Sequence, residues 1–151
     1  FAVANDEIHF LEQRLNEVYG SIDGGDQISK KEVIDMELTI DEIDSKLYEQ
    51  INKLAPFGIG NPKPLFLFRK VTPVVVRKFG KTNDHVEIVF KKKNGQKMSA
   101  IAFFGAKERW ANEVREGTVM DLIASVEKSM FRSRAEIRLR VEEVHTEVTP
   151  L

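Results

Sequence analysis

The residues best suited to chemistry in this chain are cations set beside flat rings. Lys128-Ser129-Met130-Phe131-Arg132-Ser133-Arg134 places Lys128, Arg132 and Arg134 around Phe131. A second cationic group, Arg77, Lys78 and Lys81, stands close to His85, and Arg138 and Arg140 alternate with Ile137 and Leu139. Cationic side chains follow phosphates and flat side chains stack under unpaired bases, so this is the chemistry of single-strand binding. Phe131 at a loop tip either stacks on a base or caps the mouth of a barrel. Arg138 and Arg140 share one face of a strand. There they either extend a phosphate track or pair across the sheet with Glu127 or Glu136. Phe103 and Phe104 cannot both face a core in a regular strand; packing against Trp110 is expected rather than stacking. Lys91-Lys92-Lys93, leading into Asn94-Gly95, reads as a solvated hairpin tip.

Catalytic chemistry is not evident. Metal-assisted phosphodiester hydrolysis needs clustered carboxylates or histidines, and His9, His85 and His145 are isolated. Asp41, Glu42, Asp44 and Glu49 crowd one stretch, which reads as a solvated helix face with favourable charge at its start. There is no Walker loop, nucleophile elbow or Ser/His/Asp arrangement. No catalytic residue and no metal ligand is therefore assigned, and no cofactor is expected in this chain. Cysteine is absent, which excludes disulfides and thiolate metal sites and fits a cytoplasmic location. No apolar run approaches the roughly eighteen residues of a membrane span, so no membrane partner is expected.

These residues must be positioned by two kinds of element. Asn5 can cap a helix to about Tyr19, with Ile8, Leu11, Leu15 and Val18 on one stripe. A loop over 21–29 and a short strand over 31–38 follow. Thr39-Ile40-Asp41-Glu42 is a capping box opening a second helix to about Leu54. Residues 56–64, Pro56-Phe57-Gly58-Ile59-Gly60-Asn61-Pro62-Lys63-Pro64, tolerate neither helix nor central strand and read as a junction. Gly58 and Gly60 are expected to supply unusual backbone angles there, with the prolines as stiffeners. From Leu65 the hydrophobic period becomes two. Strands are expected over 65–79 (Pro73 marking a bulge or edge), 85–91, 96–104, 118–127 and 135–144, with Asn94-Gly95 as a hairpin turn and a helix over 106–116. The order β-β-β-α-β-β is that of an OB-fold, a five-stranded Greek-key barrel. The fold class is thus α+β, a small helical and strand remnant followed by that barrel.

Charge divides the chain the same way. Residues 1–60 carry 5 Lys and Arg against 13 Asp and Glu, and residues 61–151 carry 18 against 11. The basic part is the candidate for an anionic ligand. OB barrels bind through the face of strands two and three and the loops joining strands one to two and four to five. Both of those loops are basic here. The reading requires them to meet at one rim, and a phosphate-dominated contact of this kind predicts steep salt dependence.

Several segments resemble the RecJ family of bacterial single-strand-specific exonucleases. They are Leu54-Ala55-Pro56-Phe57-Gly58-Ile59-Gly60-Asn61-Pro62-Lys63-Pro64-Leu65-Phe66, the preceding Ile34-Asp35-Met36-Glu37-Leu38, and the following Gly80-Lys81-Thr82-Asn83-Asp84-His85-Val86 and Ala100-Ile101-Ala102-Phe103-Phe104-Gly105. The resemblance implies a parent enzyme that digests single-stranded DNA from the 5′ end in recombination and repair. It implies a divalent metal, Mn or Mg, in an N-terminal DHH domain, followed by a DHHA1 domain and an OB-fold. No Asp-His-His sequence occurs here, so none of the family's catalytic residues carries over. The division implied is 1–55 as the end of a DHHA1-like domain, 56–64 as the junction and 65–146 as the OB-fold. The partners implied are single-stranded DNA and the missing DHH domain of the same polypeptide. The opening Phe1-Ala2-Val3-Ala4-Asn5 reads as the interior of a longer protein. The alternatives are a protein-interaction barrel and an RNA-binding barrel of the anticodon type.

Overall fold

A computed structural model of the chain describes residues 33–131 and 134–146, without the side chains of Phe131 and Arg134. The expected helix over 5–19 and loop over 21–29 lie outside the described residues. Seven strands form one sheet: β1 (Met36–Glu37), β2 (Phe66–Val71), β3 (Val75–Phe79), β4 (His85–Lys91), β5 (Lys97–Ala102), β6 (Met120–Phe131) and β7 (Arg134–Thr146). Their order is β1-β2-β6-β7-β5-β4-β3. The strands β2 and β3 sit far apart in that order, yet only three residues, Thr72, Pro73 and Val74, separate them in the chain. They are the two halves of one bent strand. Its first half pairs with β6 and its second with β4, which closes the sheet on itself.

The bend has local causes. Lys70 takes a left-handed backbone (φ 48°), its N–H donates to Asp121 at 2.8 Å, and the register against β6 shifts between Phe68 and Val71. Pro73 is buried, has no N–H to offer the ladder, and accepts at its carbonyl from Gly117. Closure lets alternate residues of every strand fill one interior. Val86, Ile88 and Phe90 of β4, Met98, Ala100 and Ala102 of β5, Leu122, Ala124 and Val126 of β6, and Leu139 of β7 all lie in it. The core is therefore the period-two stripe of the sequence, rolled into a barrel.

Three elements differ from expectation. The strand over 31–38 is reduced among the described residues to β1, two residues pairing in parallel with β2. The helix expected from Ile40 breaks into a 3-10 turn at Ile40–Glu42 and an α-helix, α1, at Ser45–Asn52. Ile43 between them is extended and fully buried, and Asp44 caps α1 by accepting from Leu47 N–H at 2.8 Å. The helix expected over 106–116 is two 3-10 turns, Gly105–Lys107 and Arg109–Asn112. Packing explains this. Gly105 is pressed so close to the sheet that an added Cβ would lie 2.6 Å from Ala102 Cβ and 3.2 Å from Trp110, while Ala111 and Val114 must both be buried. A helix this short has little propensity of its own to resist such demands.

Packing runs across the Pro/Gly-rich segment. Leu38, Ile40, Ile43 and Ile51 share one core with Phe68 and Leu122, so residues on both sides of 56–64 belong to one packed body. Gly58 and Gly60 do not supply special angles. Neither lies in the left-handed region, and a Cβ at either would meet nothing. The turn is held instead by reciprocal backbone bonds between Gly58 and Asn61 and by the Asn61 amide, which donates to the carbonyls of Leu54 (2.8 Å) and Pro56 (3.0 Å). Nor is Lys91-Lys92-Lys93 simply a solvated tip. Lys92 is buried and its Nζ donates to the Ile43 carbonyl, while Asp41 accepts from the Lys93 backbone at 2.7 Å.

Glu42 reports on the capping turn. Its carboxyl is lowered from the ordinary 4.5, first by the Thr39 N–H and then by the Thr39 hydroxyl, both bonding the charged form. A depressed carboxylate stabilises the fold above its unfolded pKa and loses that contribution as pH falls through the folded value. An NMR titration should place the Glu42 midpoint below 4.5, and Thr39→Ala should move it part of the way back. Identical midpoints in the two proteins would remove the hydroxyl from this account. No helix of the described residues is long and apolar enough to cross a membrane.

Candidate nucleic-acid interface

Alternation along β3, β4 and β5 turns a second set of side chains outward. Register sets Arg77 opposite Glu87 and Phe79 opposite His85 on β3 and β4, and Glu87 opposite Ile101 on β4 and β5. On the far side, β7 runs parallel to β5 with Arg140 opposite Ile101. The long β6–β7 hairpin adds Ser129, Glu136 and Arg138. Together Arg77, Phe79, Glu87, Ser99, Ile101, Ser129, Glu136 and Arg138 line a groove of about 550 Å³. Arg77 of β3 and residues near the tip of the β6–β7 hairpin therefore border the same groove across the β4–β5 face.

The other expected residues are distributed around this groove. Lys78 lies on the opposite face of β3 from Arg77, beside Val76, Val86, Val114 and Arg115. Lys128 lies opposite Ile137, so it turns away from the face that carries Glu127 and Ser129. Lys81 is exposed in the turn between β3 and β4. Arg132 falls outside the described residues, and Phe131 and Arg134 are placed only as ends of β6 and β7.

The cations of the groove are paired. Arg77 Nε donates to Glu87, whose other oxygen accepts from Ser99 Oγ at 2.6 Å. Arg138 Nε donates to Glu127 at 2.6 Å, and Arg140 lies 3.8 Å from Glu142. Cross-strand pairing thus holds Arg138, through Glu127 rather than Glu136.

Beyond β5 the rings gather around His85. Its centroid is 5.2 Å from Phe79, 5.5 Å from Phe103 and 4.9 Å from Phe104. Its Nδ1 accepts the Phe104 N–H at 3.0 Å, and Phe104 stands in the left-handed region (φ 59°). That turn breaks the strand's alternation, so Phe103 and Phe104 stay together on the outside. Phe103 is 38% exposed and Phe104 67% exposed. The guanidiniums of Arg138 and Arg140 lie over the Phe103 ring at 5.5 and 5.3 Å, within cation–π range. Trp110 is half-buried against the core and lies over Gly105, while both phenylalanine rings meet His85 and Phe103 also meets the two arginines. Gly80 backs the assembly, since a Cβ there would come within 3.0 Å of the His85 ring. Phe79, Glu87 and Ser99 were not singled out from sequence. The signal for them was the alternation that puts Phe79 on the face of Arg77.

A bent first strand, a hairpin of β4 and β5, two short turns and a long β6–β7 hairpin, closed into a barrel, define an OB-type fold. The chain also matches a family model described as the RecJ OB domain over residues 34–143. It belongs to that family. A curated relative, the "Single-stranded-DNA-specific exonuclease RecJ" of Bacillus subtilis (strain 168), is 21% identical over 138 residues, covering 91% of this chain and 17% of the relative. The chain thus spans about a sixth of that relative's length. Among solved structures it is similar to RecJ in complex with Mg2+ from Thermus thermophilus, with a TM-score of 0.50 and 15% identity over 67% of this chain and 14% of that one. It also aligns with the mitochondrial single-stranded DNA binding protein Rim1 of S. cerevisiae, with a TM-score of 0.42 and 10% identity over 55% of this chain and 94% of that one.

Among the described residues, no group of three or more His, Asp or Glu is placed to hold a metal ion. The acidic stretch is engaged locally: Asp41 with Lys93, Glu42 with Thr39, and Asp44 with the start of α1. The donor set of a divalent-metal centre is not met by these side chains.

Proposed function

We propose that this chain is the single-stranded-DNA-binding part of a RecJ-like exonuclease acting 5′ to 3′ in recombination and repair. In this reading it captures the strand and aims it at a metal-dependent hydrolytic centre in a DHH domain of the same polypeptide. Residues 1–55 would end a preceding DHHA1-like domain, with its packing shared with the barrel from about residue 33 onward. The observation that carries the reading is the groove over β4 and β5, flanked by Arg77 and Arg138, with the exposed Phe103 and Phe104 linked to it through Arg138, whose guanidinium lies against Phe103. A bare strand offers ring faces that a duplex hides in its own stack, and an exposed aromatic platform exploits that difference. The name of the curated relative supports the same substrate.

Fluorescence anisotropy with a labelled single strand and its duplex tests the proposal. At low salt the single strand should bind at least about tenfold more tightly, as loss of even one stacked base implies. Equal affinity for the two forms would reject it. Added Mn2+ or Mg2+ should produce no cleavage by this chain.

A further inference from the structure

We infer that the free edge of β3 takes an extended, acidic peptide segment of a partner protein as an added strand. The inference stands apart from the single-strand reading, because it concerns a strand edge and a hollow that the β4–β5 groove does not use.

The first observation is the backbone. β3 is terminal in the sheet order and, among the described residues, pairs with β4 alone. Alternate N–H and C=O groups of Val75–Phe79 therefore point away from the sheet with no strand to receive them. Such an edge is a template for one more strand. The chain that follows β5 touches the start of this strand, where the Gly117 N–H donates to the Pro73 carbonyl at 3.0 Å. Beyond that bond a hollow of about 500 Å³, shared by β3 and residues 111–116, opens beside the strand. Val74 and Val119 stay exposed at the closed end, one and two residues from the bond.

The second observation is the chemistry of the hollow. Its floor is aliphatic, made by the half-buried Val76 and the buried Val86 and Val114. Its rim is cationic. Lys78 stands on the strand and Arg115 on the facing segment, both exposed, against one carboxylate, Glu116. Neither cation is in an ion pair among the described residues. Arg77, the third cation of the lining, is committed to Glu87. Side chains two apart in a strand share a face, as Val76 and Lys78 do here. The segment that fits places an aliphatic residue beside Val76 and a carboxylate two positions along, against Lys78 and on the rim that Arg115 shares. Nucleic acid fits less well, because no aromatic ring lines the hollow and a polynucleotide has no amide ladder to offer the edge. A second copy of the chain fits less well too, since two joined β3 edges would set Arg77 and Lys78 of one against those of the other.

The test uses the 151-residue chain and two peptides carrying a C-terminal fluorophore. One is acetyl-Thr-Glu-Thr-Val-Thr-Glu-Thr, whose symmetry suits either strand direction, and the other has lysine in place of glutamate. Anisotropy at low salt should give the acidic peptide a Kd of about 0.3 mM or tighter, and the lysine peptide should bind at least about tenfold more weakly. Joint Lys78→Glu and Arg115→Glu substitution should weaken the acidic peptide at least about fivefold. At saturating acidic peptide, amide hydrogen exchange should slow at those alternate residues of 75–79 that do not bond β4, because an added strand bonds every second N–H. No binding at about 1 mM, equal binding of the two peptides, or unchanged exchange along β3 would each overturn the inference. Displacement of the peptide by oligothymidylate, or self-association of the chain that the peptide reverses, would also overturn it, by giving the edge to nucleic acid or to a second copy.

Discussion

Alanine at His85 is expected to weaken oligothymidylate binding by about ten- to a hundredfold while leaving the barrel folded. The reasoning starts from what the imidazole touches. Phe79, Phe103 and Phe104 all lie within 5.5 Å of its ring centre. Its Nδ1 also accepts the N–H of Phe104 at 3.0 Å. That bond matters because Phe104 stands at φ 59°, a conformation that costs a non-glycine residue roughly 1 kcal/mol or more and needs a compensating contact. Without the ring, Phe104 loses its hydrogen bond and both exposed phenylalanines lose the wall behind them. If one or two stacked bases are lost at about 1–3 kcal/mol each, the affinity falls by the stated range. The side chain is only half-buried at the rim, so the cost to global stability should be about 1 kcal/mol. His85→Asn separates the two roles, since its carbonyl oxygen can accept from Phe104 N–H but offers no ring. An intermediate loss is expected for it. Unchanged thymidylate affinity in His85→Ala would show that the aromatic cluster does not meet the strand.

The barrel was legible in the sequence because its signals are local. Val86, Ile88 and Phe90 against His85 and Glu87 are a period-two stripe that only a half-buried strand explains. Asn94-Gly95 marks its hairpin, and Pro73 marks the bend that lets one strand serve two neighbours. Alternation alone also separates Arg77 from Lys78 and Lys128 from Ser129, so two of the cations expected at the groove could have been set aside from sequence. What could not be read was who stands opposite whom. Arg77 opposite Glu87 and Arg138 opposite Glu127 are matters of register, and register turns a basic track into a row of ion pairs. The fate of Phe103 and Phe104 was hidden for a similar reason. It depends on one left-handed residue and one imidazole acceptor, contributed from 19 positions away in the chain. The expected helix failed where a tertiary demand, the tight seat of Gly105 against Ala102 and Trp110, overrode a weak local preference.

Replacing Ile43 by alanine should destabilise the barrel itself, by about 2–5 kcal/mol. Ile43 precedes the Pro/Gly-rich segment, and charge and composition both suggest a break there. Yet its side chain is fully buried in the core that holds Phe68, Ile88 and Leu139, and its carbonyl is capped by the buried Lys92 of the β4–β5 hairpin. Removing three carbons from a site with no exposed surface leaves a cavity that the surrounding strands can only partly close. For a domain of this size such a loss is a large share of the total. The chain's single tryptophan, Trp110, sits in the turn between β5 and β6 and so reports the barrel rather than the 38–52 segment. Urea unfolding followed by Trp110 fluorescence should therefore shift to a markedly lower midpoint in Ile43→Ala, as one cooperative transition with little change in its denaturant slope. A Trp110 transition that stays where it was would mean that residues 38–52 unfold on their own. In that case the two sides of the Pro/Gly-rich segment would be energetically separate, despite sharing a wall.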